Sequence, residues 1–103
     1  MALSRHLCVL LLLAAVTAEA AKIQTYKEKG CSGDLTNTFT VVCNSCQTFS
    51  DQSSVKISDV QAKNRISIHN RKNCENYSKV AEIHGGACVN QGKAKIRAVY
   101  IAC

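Results

Sequence analysis

The chain contains no Trp and no Pro, only two Phe and three Tyr (Phe39, Phe49, Tyr26, Tyr77, Tyr100), and seven acidic residues against thirteen Lys and Arg. It also lacks a long apolar run. The one it has, residues 7–16, falls well short of the ~20 residues a membrane helix needs, so no transmembrane segment is expected. With so few aromatics, a core has to be assembled from Ile and Val. The absence of Pro leaves every stretch free to join a sheet ladder. No window places apolar residues at i, i+3, i+4 and i+7, which argues against helices.

Reactive constellations are missing too. The acids Glu28, Asp34, Asp51, Asp59, Glu75 and Glu82 stand mostly in charged turns beside lysines, and none forms an acid-base pair in sequence. No nucleophile is set beside a His and an acid, so no enzyme and no catalytic residue are expected. Cys43-Asn-Ser-Cys46 has the spacing of half a zinc site, with His69 and His84 as conceivable partners, but there is no second such pair; no metal and no cofactor are expected. No aromatic-basic stacking platform is visible, so nucleic acid is not an expected partner.

What is present begins with Arg5 and His6, the apolar run, and then Ala18-Glu-Ala20: the order of a secretory signal peptide. Cleavage after Ala20 divides the chain into a signal peptide, 1–20, and one secreted domain, 21–103. Cys8 leaves with the peptide, so seven cysteines become six, an even set that reads as three disulfides in an oxidising compartment. Spacing leaves all 15 pairings open. A domain this small needs its staples, each contributing roughly 2 to 4 kcal/mol.

The mature part looks duplicated. Ile23-Gln-Thr-Tyr-Lys-Glu-Lys-Gly-Cys31-Ser-Gly33 has a counterpart in Ile66-Ser-Ile-His-Asn-Arg-Lys-Asn-Cys74-Glu-Asn76, each a strand running through a charged tetrad to a cysteine and a residue tolerant of positive φ. Val55-Lys-Ile-Ser-Asp-Val60 and Ala94-Lys-Ile-Arg-Ala-Val99 share Lys-Ile-x-x-Val. Strands are expected at 22–27, 36–42, 58–62, 65–69, 79–83 and 98–102, with further pairing around 46–50 and Cys88. The odd Ile-to-Val spacing predicts that Ile57 and Ile96 pack from turns, with Val60 and Ala62, or Val99 and Ile101, facing inward. Residues 49–56 read as the longest exposed loop.

An all-β duplication opening each half with a tyrosine corner, here Tyr26 and Gly33 and then His69, Cys74 and Asn76, resembles the βγ-crystallin superfamily. The cysteine order, closing on Tyr-Ile-Ala-Cys103, is similar to that of the small plant antimicrobial proteins of the macadamia seed type. The chain differs in carrying two residues between its second and third cysteines, and Asn90-Gln-Gly-Lys-Ala-Lys95 before its last strand. The resemblance implies a disulfide-stapled, two-motif Greek-key β-sandwich with Cys31 bonded to Cys88, Cys43 to Cys103 and Cys46 to Cys74. It places the superfamily's calcium positions on Ser54-Val55 and Lys93-Ala94, which offer no carboxylate and one repelling lysine.

The remaining signal is charge. The formal net charge of +6 survives cleavage, because Arg5 and Glu19 leave together. Basic residues cluster at Lys27 and Lys29, at Arg71 and Lys72, and at Lys93, Lys95 and Arg97, predicting two equivalent basic corners and a third basic turn. A monomeric, secreted antifungal or antibacterial defence protein that binds microbial wall polysaccharide or an anionic membrane is the expected function. The alternative is a non-enzymatic binding module, such as a toxin-like ligand or a protease inhibitor. Asn76-Tyr-Ser78 is an N-glycosylation sequon.

Overall fold

The computed structural model describes residues 19–103; of the expected signal peptide, 1–20, residues 1–18 lie outside the described residues. The chain forms eight strands, β1 Ala21–Tyr26, β2 Leu35–Val41, β3 Ser45–Gln52, β4 Ser54–Ser58, β5 Arg65–His69, β6 Lys79–His84, β7 Ala87–Asn90 and β8 Ile96–Ala102, with Ile and Val alternating with polar residues most clearly in β4 and β5. They form two four-stranded antiparallel sheets, ordered β2-β1-β4-β7 and β3-β8-β5-β6. The third strand of each half, β3 or β7, has crossed into the sheet built by the other half.

Strand register shows how the halves correspond. Ile23 on β1 stands opposite Ile57 on β4, and Ile66 on β5 stands opposite Ile101 on β8. Both first hairpins carry a register shift at the same place, between Thr25 and Tyr26 and between Ile68 and His69. Val55-Lys-Ile57 is therefore the counterpart of Val99-Tyr-Ile101, and the shared Lys-Ile-x-x-Val does not superpose. The strand expected at 58–62 is accordingly displaced: β4 ends at Ser58 and the chain turns at Asp59, whose φ is 54°. Ile57 is a buried strand residue, Val60 packs on the core from the connector, and Ala62 is exposed. In the second half Val99 and Ile101 do face the core. Ile96 joins them because the register between β3 and β8 shifts between Thr48 and Gln52.

Two other expectations change. Residues 49–56 do not project as a loop, since only Ser53 separates β3 from β4 and Gln52, Ser53, Ser54 and Val55 are all buried. Asn76 does not sit at positive φ; the first fold-back turns through Gly30, Cys31 and Gly33, at φ 80°, 51° and 77°, whereas the second closes with a 3-10 turn, Asn76–Ser78.

Between the sheets lie Ile23, Val55 and Ile57 on one side and Ile66, Ile68, Ile96, Val99 and Ile101 on the other, each at most 2% exposed. Each contributes about 1.5 to 3 kcal/mol by burial. Phe39 and Phe49 stack at 6.1 Å between ring centroids.

Three disulfides complete the fold: Cys31–Cys88, Cys43–Cys103 and Cys46–Cys74. The strand correspondence equates Cys31 with Cys74 and Cys46 with Cys88, so two of the bridges are copies of one another. Each ties the first fold-back of one half to the crossed-over strand of the other.

Candidate functional site

All odd-numbered strands finish, and all even-numbered strands begin, at one end of the sandwich. The connectors there are residues 27–34, Ser53, residues 70–78 and residues 91–95. Backbone hydrogen bonds lace them together, from Ser53 N to the Tyr26 carbonyl at 3.0 Å and from Gln91 N to the Ser53 carbonyl at 2.8 Å. Lys27, Lys29, Arg71, Lys72, Lys93 and Lys95 lie in these connectors, and Arg97 is the second residue of β8. Topology thus gathers every basic candidate at a single end.

The first fold-back is held from beneath. Ser54 Oγ donates to the Glu28 carbonyl and accepts from Cys31 N at 2.9 Å, and Gly30 N donates to Asn90 Oδ1 at 2.6 Å. Gly33 permits this closure: a Cβ there would stand 2.9 Å from Glu28 Cδ. Lys27 and Lys29 are left exposed, and among the described residues neither has a carboxylate at salt-bridge distance.

The second fold-back is built differently. His69, 2% exposed, takes the place of Tyr26; its Nδ1 lies 2.8 Å from Ser78 Oγ and its Nε2 2.9 Å from Ser67 Oγ. Burial pulls the ring's pKa below its ordinary value, against a backbone hydrogen bond at Glu75 that raises it, with nearby Lys79 lowering it further. A neutral ring suits both contacts, donating to Ser78 and accepting from Ser67. Above it the Arg71 guanidinium stacks 5.3 Å from the Tyr77 ring centroid. Asn76 is exposed at the start of the 3-10 turn.

The third cluster is not a free basic turn. Arg97 Nε meets Asp51 Oδ1 at 2.5 Å, Nη2 meets Oδ2 at 3.3 Å, and Nη1 donates to the Asn70 carbonyl at 3.1 Å. Lys95 Nζ donates to Ser53 Oγ at 3.0 Å. The Arg97 hydrogen bond holds the Asp51 carboxyl below its usual range; desolvation opposes it, and the charges of Arg97, Lys72 and Lys95 add to the lowering. Arg97 thus ties Asp51 at the end of β3 to Asn70 at the start of the second fold-back. Nothing in the sequence context of Asp51 marked it.

Cys43 and Cys46 are both bridged, leaving no thiolate for a metal. Ser54 and Val55 lie buried in β4. Sequence reasoning passed over the outer face of the second sheet, where Arg65, Ser67, His69, Cys74, Asn76, Lys79, Glu82, Tyr100 and Ala102 line an open cavity of about 350 Å³. Only the strand register places these residues side by side. Comparison with protein-family models, curated proteins and solved structures found no match for this chain.

Proposed function

We propose that the chain is a secreted, two-motif Greek-key β-sandwich of βγ-crystallin type whose basic end engages anionic microbial surfaces, in the manner of a cationic antifungal or antibacterial defence protein. One observation carries the reading: seven basic side chains from four separate connectors and strands converge on one end of a small, cross-linked body. The crossed-over third strands and the three bridges support the fold assignment and an oxidising destination. The inhibitor alternative has less support, because residues 49–56 form a strand and a buried connector.

The test replaces Lys27, Lys29, Arg71 and Lys72 with Gln, lowering the net charge from +6 to +2. These are exposed positions, so thermal unfolding should change little. At ~1 kcal/mol per basic residue, binding to anionic vesicles should weaken by up to about a thousandfold. Wild-type binding should fade by ~0.5 M salt as screening shortens its reach. A folded quadruple variant that inhibits microbial growth at unchanged potency would overturn the electrostatic reading.

A further inference from the structure

The outer face of the second sheet departs from its counterpart on the first. Register sets Tyr100, Ser67 and Glu82 in one row across β8, β5 and β6, and Ala102, Arg65 and His84 in the next. Ser67 and Ala102 are small, so the middle of the face is hollow. The equivalent positions on the first sheet, Gln24 opposite Lys56 and Lys22 opposite Ser58, carry longer side chains at the centre. One wall of the hollow is the second fold-back, fixed through Cys74 to Cys46 on β3. Ser67 and His69 line the hollow, the ring held through its hydrogen bonds to Ser67 and Ser78.

The lining is polar and carries more positive than negative charge. Lys79 Nζ lies 3.1 Å and Arg65 Nε 3.9 Å from the same Glu82 oxygen. The Lys79 hydrogen bond, and then the charges of Lys79, Arg65 and His84, keep the Glu82 carboxyl below its ordinary range despite some desolvation. With His69 neutral, two cations face one anion. Ser67 and Asn76 add a hydroxyl and an amide, and partly exposed Tyr100 adds an aromatic surface. A volume of about 350 Å³ lies at the lower end of the range for small-molecule sites.

We infer that this cavity binds an acidic sugar residue of the uronic-acid class, a ring of hydroxyls bearing one carboxylate. The carboxylate meets the cation that Glu82 leaves uncompensated, and the ring hydroxyls find Glu82, Ser67 and Asn76. Tyr100 supplies the flat surface on which a pyranose face rests. The cavity borders the basic end through Cys74 and Asn76, but none of that end's seven basic residues lines it, so the two are tested independently.

The experiment titrates D-galacturonic acid, and D-galactose as its neutral counterpart, into isotopically labelled, non-glycosylated protein followed by NMR. Saturable shifts are expected at the amides of Ser67, Lys79, Glu82 and Tyr100. Galactose should bind at least about tenfold more weakly, having lost a charge-assisted hydrogen bond. Arg65→Gln with Lys79→Gln should abolish the preference for the acid. Ser67→Gln, which installs the residue found at Gln24 in the first half, should fill the hollow and abolish binding of both sugars. The quadruple variant of the basic end should keep the shifts. Equal binding of the two sugars, shifts confined to residues 27–30 and 71–72, or no shifts at all would overturn the assignment.

Discussion

Asp51 decides how much of the positive charge is available to a partner. Its carboxylate holds Arg97 in a two-point contact and sits in the field of Lys72 and Lys95. Asp51→Asn raises the net charge by one and releases Arg97. Binding to anionic vesicles should then tighten roughly fivefold in low salt, read by co-sedimentation. Because the folded-state pKa of Asp51 is depressed, the stabilisation from this pair is present above the ordinary carboxylate range and disappears as pH falls through the lowered value. His69 titrates in a different window. Its pKa is also depressed, so the folded protein resists taking up the proton that the unfolded chain accepts below pH ~6.5. The stability associated with its neutral form is in place above that pH and is lost as pH falls further. Thermal unfolding should show a fall in Tm between pH 7 and 5. In His69→Gln that slope should flatten, while the loss of a buried hydrogen bond costs about 1 to 3 kcal/mol at neutral pH.

At the scale of strands and turns, β1, β5 and the second part of β8 were legible because their apolar residues alternate with more polar ones. Residues 50–54 were misread because a run of Ser, Asp and Gln has turn composition, yet here Gln52, Ser53 and Ser54 are buried with hydrogen-bond partners. Gln52 Oε1 accepts from Thr36, its Nε2 donates to the Ser50 carbonyl, and Ser54 serves the first fold-back. Thr36 and the Glu28 carbonyl lie far from this run in sequence, out of sight of local composition. Lys-Ile-x-x-Val misled for a related reason: Ile57 and Ile101 are matched by the strands opposite them, not by their own neighbours. The basic clusters were readable one by one, whereas their convergence on one end and the cavity followed only from topology. The fold-backs yield a prediction of their own. Removing Cys46–Cys74 by paired Cys→Ala substitution should lower stability by about 2 to 5 kcal/mol in denaturant melts. Removing Cys43–Cys103, which closes a loop of 60 residues rather than 28, should cost ~0.7 kcal/mol more on chain entropy alone.

For the molecule as a whole, the two related bridges, Cys31–Cys88 and Cys46–Cys74, make each half depend on the other for its covalent closure. A single repeat would carry one fold-back cysteine and one cysteine on its third strand. In this architecture those two never meet within a repeat, because the third strand belongs to the neighbouring sheet. A half-length chain would therefore form these bridges between two copies, each lending its third strand to the other and sealing the exchange with two intermolecular bonds. A fragment spanning residues 19–62 with Cys43→Ser should reproduce that state, running on a non-reducing gel as a dimer that collapses to monomer and unfolds on reduction. Recovery of a folded, disulfide-closed monomer would contradict it.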